Sequence, residues 1–515
     1  MGDIPLLTWK GRRVRSPGDD PQATAKKVPD APLRPGSLFF VPSPLEGWGV
    51  DVLLDRLSAD SAVVLLEKDS ALEAHCHQAL RHHLGHRMND PRLFWLEIDT
   101  EAAVRELFLR LPLNTLRRVE WLTFNGAWMS HSTRYREVFT RLEEGLTRWW
   151  SNRMTCLHMG PLWLKNLFDN LSRPSCEWSP WPDWSDDTVL VCGAGISLES
   201  ALPYASQHRS RLRIIAADTA LPVLKSWDLV PDAVVCLEAQ HANLRDFAGW
   251  KGANVRLFTD LTSYPPSARV FGPPPCWFVT EFTELDLWNR WPWPEIPRLP
   301  PLGSVGVAAA WVAWKLTRGS VILAGLDFSF PAGKTHSRGA PSLASLGART
   351  NRLLPMVQTN TWIRPGLRNT KTGWLTTPVM EGYAAVLKDQ ATPHAHRTWT
   401  WDSLGLPLDL PVWNRQTPSP LGKQIIEVPP ETGPDWQAWL ALEAVRWQRL
   451  LEALDQWERG QSEADWQNLL AQLKALDYLT FCFPDPQPRP DADWLIRAQV
   501  QLKWLIDRVS RPRRS

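Results

Sequence analysis

The stretch that decides the fold is Thr188-Val-Leu-Val-Cys-Gly-Ala-Gly-Ile-Ser-Leu-Glu199. A short apolar run rich in β-branched valine leads into a glycine turn and then into a Ser-led helical pattern. Strand, tight turn and helix in that order open a nucleotide-type α/β unit. Arg213–Asp218 (RIIAAD) and Ala233–Glu238 (AVVCLE) are the next two strands, each an apolar run closing on a carboxylate, with a short helix over Leu221–Ser226 between them. Val255–Thr259, Trp277–Thr280 and Ser320–Gly325 follow, the last after a helix predicted over Val305–Leu316. Apolar strands that alternate with helices build a parallel sheet covered on both faces, and its ligands bind beyond the carboxyl ends of the strands. The expected class is therefore α/β, with a doubly wound, mostly parallel Rossmann-like central sheet.

Working outward, Ser37–Pro42 (SLFFVP) enters the turn Pro44–Gly49 and Ala62–Glu67 (AVVLLE) ends in an acid. Runs at Leu93–Ile98 and Val119–Phe124 alternate with helical patterns over Glu101–Leu111 and Arg134–Trp149. This predicts a smaller Rossmann-like α/β domain over residues 37–170, preceded by a flexible basic arm over 1–36. Of a glycine fingerprint it holds only Gly47 and Gly49, which favours a structural unit over a ligand site. The Pro/Trp/Ser stretch 172–186 is a linker, and the central domain spans 186–425, with one helix near Glu381–Leu387 in its loop-rich end. Trp436, Leu440, Trp447, Leu451 and Leu454 recur at helical spacing, a capping box starts at Ser462, and helices are expected over Trp466–Phe481 and Trp494–Val509. Residues 430–515 thus read as an all-helical C-terminal domain.

Composition narrows the class of function. Apolar residues at 44% and charged residues at 22% of the 515-residue chain exclude general disorder. A net charge of +2 argues against a nucleic-acid partner, because polyanion binders concentrate positive charge. The seven cysteines are scattered without a CxxC pair, which excludes zinc ribbons and a disulfide framework and fits a reducing cytoplasm. The longest apolar run, Val305 to Trp314, is shorter than the roughly 18 residues of a membrane span, and the N-terminus lacks a signal-peptide core. Tryptophan occurs 31 times against 5 tyrosines, an excess that invites a sugar-stacking reading. Only Trp227 falls in the motif-rich stretch 187–240, so the excess belongs to scaffolding; Trp291 and Trp293 are the pair nearest the Gly303 motif.

Several residues carry candidate chemistry. Gly193 and Gly195 let the backbone approach a phosphate, and Ser197 starts the following helix, whose N–H groups and dipole favour anions. Leu198 stands in place of the fingerprint's third glycine. Asp218 and Glu238 end the next strands at the same sheet edge, placed to accept from hydroxyls or to hold a metal. Gly303-Ser304 precedes a second helix N-terminus aimed at that edge. Asp327 follows the strand Ser320–Gly325, and the loop Phe328–Gly339 brings Lys334, His336 and Arg338, with His336 a candidate for proton transfer. Gly333-Lys334-Thr335 imitates the end of a P-loop, but Phe328 stands where that motif requires glycine.

Gly193-Ala-Gly-Ile-Ser-Leu198, Ile214–Ala220, Val230–Glu238, Gly303-Ser-Val305 and Gly325-Leu-Asp-Phe328 with Lys334-Thr-His336 resemble, in order, the motifs of the MptE-like family, which includes the Maf motility accessory factors. The same blocks are similar to those of bacterial sialyltransferases. The resemblance departs at Ile196, where the family has proline, and at Glu238, where aspartate is common. It implies a glycosyltransferase that moves a nonulosonic, sialic-acid-like sugar from a CMP donor to Ser/Thr of flagellin, with no metal and no further cofactor. Gly193, Gly195, Ser197, Gly303 and Ser304 would hold the donor, Asp218, Thr219 and Glu238 would line the nucleotide crevice, and His336 and Asp327 would be the catalytic pair. The same family also implies an alternative, ATP- and Mg²⁺-dependent pyrophosphoryl transfer to 6-hydroxymethyl-7,8-dihydropterin, in which Asp218, Glu238 and Asp327 would hold the metal. A non-catalytic flagellar assembly factor that keeps the fold is the third reading. Flanking domains on both sides of the motif block favour the transferase over the compact pterin enzymes.

Overall fold

The computed structural model describes residues 8–9, 12–14, 28, 32–171, 179–281, 296–353, 355, 366–422, 436–457, 463–474, 476 and 492–510. Two units divide the chain, Met1–His158 and Met159–Ser515. Ser462, Trp291 and Trp293, the stretch 172–178, and cysteines 176 and 482 lie outside the described residues.

The first unit is built on β1 (Ser37–Pro42), α1 (Val50–Arg56), β2 (Ala62–Leu66), α2 (Ser70–Leu84), β3 (Leu93–Trp95), α3 (Glu101–Arg110) and β4 (Arg118–Trp121). These four strands form one parallel sheet in the order β3-β2-β1-β4. This is the Rossmann-like unit the apolar runs predict. Glu67, one residue past β2, accepts from Ser43 Oγ at 2.6 Å, Tyr135 Oη at 3.0 Å and the Asp69 amide at 2.8 Å. Helix α4 (Ser132–Leu171) is far longer than the predicted 134–149, and its last turns belong to the second unit.

The second unit carries β5 (Val189–Cys192), α5 (Ser197–Gln207), β6 (Arg213–Ala217), α6 (Leu221–Lys225), β7 (Ala233–Cys236), β8 (Arg256–Asp260), β9 (Cys276–Thr280), β10 (Arg298–Leu299), α7 (Val305–Leu316), β11 (Val321–Ala324), α8 (Pro341–Arg349), α9 (Pro378–Ala391) and β12 (Thr398–Thr400). These eight strands form one parallel sheet in the order β10-β9-β8-β7-β6-β5-β11-β12. Successive strands step one way from β5 to β10, then the chain returns to β5's other side at β11. A sheet of this kind is doubly wound, and the reversal between β5 and β11 is its topological switch point.

Alternation along the strands explains why both faces are covered. Leu190, Cys192, Ile214, Ala216, Val234 and Leu257 pack under α5 and α6, whereas Val191, Ile215, Val235, Phe258 and Phe278 pack under α7. Helix α7 (VGVAAAWVAWKL) is apolar almost all round, as a helix buried on every side must be. The register Ala324↔Cys192↔Ala216 and Cys236↔Thr259 lines up the strand ends, so the residues after each strand emerge along one edge. Strands β6 and β7 stop one and two residues before Asp218 and Glu238, whose carboxylates cap the following turns instead of pairing. Helices α10 (Trp436–Trp457), α11 (Glu463–Lys474) and α12 (Ala492–Ser510) form the helical C-terminal region. Among the described residues no helix is long and apolar enough to cross a membrane.

Candidate functional site

The loops after β5 and β11 meet at the switch point, and their glycines exist for that meeting. Gly193 N–H donates to Ala324 O at 2.8 Å and Gly195 N–H to Gly325 O at 2.9 Å. A Cβ on Gly193 would overlap Gly325 O, and one on Gly195 would lie 2.5 Å from Asp327 Oδ2. Gly325 itself is left-handed, at φ +70°. Asp327 then turns its carboxylate onto the start of α5. It accepts from Ser197 N–H at 2.9 Å and from the Ser197 hydroxyl, while Ser197 Oγ accepts from Gly325 N–H at 2.7 Å. The anion slot that the glycine motif builds is thus occupied by a side chain of the same protein.

Burial pushes the Asp327 carboxyl up to about 6 against the pull of the Ser197 hydroxyl and amide, and nearby Asp402 pushes the same way. Asp327, Asp402, Thr400 and Ser197 line a polar cavity of about 20 Å³, room for one water. Leu326 bridges to the second helix start: it packs where a Cβ on Gly193 or on Gly306 would sit, bringing Gly303 and Ser304 beside the crevice. Ser304 is the N-cap of α7 and makes no side-chain cap bond, so its hydroxyl and the first-turn N–H groups are not spent on each other.

The loop of Lys334 to Arg338 lies across the first turn of α5. Ser337 N–H donates to Ala194 O at 2.8 Å, and its hydroxyl donates to Gly195 O. Glu199 accepts from Lys334 Nζ at 2.8 Å and from the Arg338 amide at 2.5 Å. Between these anchors sits half-buried His336, its Nδ1 3.0 Å from Thr335 Oγ1.

A second cluster forms at the ends of β6 and β7. Asp218, fully buried, accepts from Asn243 Nδ2 at 3.0 Å and from Thr219 N–H at 2.7 Å, with exposed Thr219 on its outer side. Burial pushes Asp218 up to about 6 despite those two bonds, and Asp246 adds to the rise. Burial and neighbouring Asp218 drive the Cys236 thiol well above its ordinary range, so it is an inert thiol. Half-buried Glu238 accepts from the Gln240 amide at 2.9 Å. The structure therefore joins Ser197 to Asp327 by direct bonds, ties Gly193 and Gly195 to the Ala324–Gly325 backbone that leads into Asp327, places Gly303 and Ser304 beside them through Leu326, and sets Asp218, Thr219 and Glu238 along the same edge. Among the described residues no three His, Cys, Asp or Glu side chains are grouped to hold a metal.

Two residues escaped the sequence reading. Asn166 Nδ2 donates to Ala239 O and Thr262 O, each at 2.9 Å, and Asn170 Nδ2 donates to Leu261 O at 2.8 Å and Ser263 O at 3.0 Å. They sit one helical turn apart near the end of α4, a signal visible in the sequence only as an Asn-x-x-x-Asn spacing.

An eight-stranded parallel sheet with glycine loops and carboxylates at its switch point defines a doubly wound, Rossmann-like α/β protein. Residues 163–333, which include Asn166 and Asn170, match the model of the family described as 6-hydroxymethylpterin diphosphokinase MptE-like. An uncharacterized protein of Treponema pallidum (strain Nichols) is 28% identical over 347 residues, covering 66% of this chain and 60% of that relative. A second uncharacterized protein of the same organism is 33% identical over 86 residues, 16% of this chain and 41% of the relative. The chain thus spans 60% or less of the length of these two relatives. Among solved structures, a Maf glycosyltransferase from Magnetospirillum magneticum AMB-1 shares the fold with a TM-score of 0.54 at 12% identity, over 99% of this chain and 86% of that chain.

Proposed function

We propose that the protein is a Maf-like glycosyltransferase that moves a sialic-acid-like sugar from a CMP donor to Ser/Thr of flagellin. The observation that carries this reading is the extent of the fold match: the Maf glycosyltransferase is shared over 99% of this chain, flanking regions included, and not only over the MptE-like block. The donor's single phosphate is assigned to the start of α7, at Gly303 and Ser304, because Asp327 already fills the start of α5. Gly193, Gly195 and Ser197 shape the crevice, Asp218, Thr219 and Glu238 form its nucleotide side, and His336 is the base for the acceptor hydroxyl. A base of this kind takes the hydroxyl proton as the sugar carbon transfers and CMP leaves with its phosphate. Asp327 supports the loop that presents His336. No further cofactor enters this scheme.

Pterin pyrophosphorylation from ATP and Mg²⁺ is the second reading, favoured by one observation, the family whose model residues 163–333 match. A fold-retaining flagellar assembly factor is the third. Titration with CMP, with ATP–Mg²⁺ and with neither, read as a thermal shift, separates them: stabilisation by CMP alone supports the transferase, by ATP–Mg²⁺ alone the kinase, and by neither the assembly factor. Intact-mass measurement of flagellin from cells carrying His336→Ala or Ser304→Ala completes the test. Loss of the sugar mass in both is expected, and unchanged mass in both would sink the transferase mechanism.

A further inference from the structure

We infer that Asn166 and Asn170 are positioning residues, a two-amide clamp that sets the loops after β7 and β8 at the carboxyl edge of the central sheet. Both side chains are almost fully buried, at 1% and 2% exposure. Spaced four apart, they share one face of α4. Asn166 bridges Ala239 O of the first loop to Thr262 O of the second, and Asn170 holds Leu261 O and Ser263 O. Four loop carbonyls are thereby satisfied. The loops are also tied to each other, by Tyr264 N–H to Glu238 O at 2.9 Å and Ser263 Oγ to Cys236 O at 3.2 Å. Asp260 Oδ1 accepts from Thr262 N–H at 2.7 Å in the same turn. The clamp therefore reaches Glu238 through backbone alone.

Asn170 shows that the clamp is more than filling. Both its bonds are donated by Nδ2, so turning the amide round would set its oxygen against two carbonyl oxygens. Kept this way, Oδ1 is buried without a hydrogen-bond partner, a cost that an aliphatic side chain would avoid. Docking of the same helix turn is secured separately, by the Asp169–Arg508 ion pair and by Phe168 edge-on to Trp447 at 5.3 Å.

That the clamped edge serves a nucleotide rests on the transferase reading; the clamp itself does not, and the test separates the two. Full-length Asn166→Ala, Asn170→Ala and the control Asp169→Asn are compared by hydrogen exchange and by CMP titration. Both Asn variants should raise exchange at the Gln240, Thr262 and Tyr264 amides at least tenfold and weaken CMP binding at least tenfold, with β5 and β6 amides unchanged. Asp169→Asn should lower the melting temperature without moving either local readout. Unchanged loop exchange in both Asn variants, or equal loosening in Asp169→Asn, overturns the clamp. If an alanine variant fails to fold, Asn166→Ser and Asn170→Ser take its place under the same criteria. Loosened loops in a protein whose wild type ignores CMP leave the clamp standing and remove the transferase reading instead.

Discussion

Ser197 and Asp327 are bonded twice across the switch point, amide to Oδ2 at 2.9 Å and hydroxyl to Oδ1, and the hydroxyl in turn receives Gly325 N–H at 2.7 Å. The Asp327 carboxylate thus closes the start of α5 and fills the slot that a ligand phosphate takes in related sheets, while the Ser197 hydroxyl caps the exit of β11. The carboxylate supplies the negative charge that the helix N-terminus favours.

Ser197→Ala removes the hydroxyl and strands two buried groups, Gly325 N–H and Asp327 Oδ1. Leaving a buried polar group unsatisfied costs about 1–3 kcal/mol each, so a loss of about 2–6 kcal/mol of unfolding free energy is expected. Urea unfolding of the purified variant measures it. A loss under about 0.5 kcal/mol would show that the hydroxyl holds nothing together.

The pH dependence has a definite sign. Burial raises both Asp327 and Asp218 to about 6 in the folded chain from an ordinary 3.8. The folded protein then binds protons more tightly than the unfolded chain between those values, so each aspartate's contribution is present at low pH and is lost as pH rises through about 6. By linkage each site removes about 2 kcal/mol between about pH 4.5 and about pH 7.5. Asp327→Asn and Asp218→Asn should each flatten the stability-against-pH curve by that amount. A curve as steep in both variants as in the wild type contradicts the assignment.

Close approach makes a sharp contrast between two glycines. A Cβ on Gly193 would overlap the Gly325 carbonyl, backbone against backbone, whereas one on Gly382 in α9 meets nothing within 4 Å. Gly193→Ala should cost about 1–3 kcal/mol or more from overpacking, and Gly382→Ala should gain about 0.5–1 kcal/mol from helix propensity. Melting temperatures of the two variants that move in the same direction would refute this account.

How much of this was legible in the sequence follows from the range of the forces involved. Helix Val305–Leu316 and strand Ser37–Pro42 have the bounds their apolar patterns predict, because burial on all sides or both faces leaves no ambiguity of period. Strand ends drifted by one or two residues where a carboxylate, Glu67, Asp218 or Glu238, turns to cap backbone N–H groups. Helix α4 outran its prediction past Trp149, since Pro161 is accommodated inside it. The gathering of glycines and acids at one edge was readable, because parallel register puts every strand's carboxyl end there. That Asp327 would occupy the slot prepared by Gly193 and Gly195 was not: the bond spans 130 residues, and no local pattern encodes it. Asn166 and Asn170 were invisible for the same reason, as their partners lie 73 to 96 residues away.

The last prediction concerns the loop that carries His336. Glu199, on the first turn of α5, accepts from Lys334 and from the Arg338 amide, so the loop is pinned on both sides of His336. Burial pushes the Glu199 carboxyl up, but Lys334 and the Arg338 amide outweigh it and hold it below the usual glutamate range. Its contribution is therefore present above the ordinary pKa of 4.5 and lost as pH falls through the lowered folded value. Both partners are about one-third exposed, so the pair adds little to global stability. Glu199→Gln should accordingly leave the melting temperature within a few degrees of wild type, raise hydrogen exchange at Ser337 and Arg338 and, on the transferase reading proposed above, lower the transfer rate at least tenfold while CMP affinity holds. Lys334→Arg, which keeps the cation, should retain most of the rate. Equal transfer rates in Glu199→Gln and wild type would mean that His336 needs no such anchoring and would move the search for the base elsewhere along the edge.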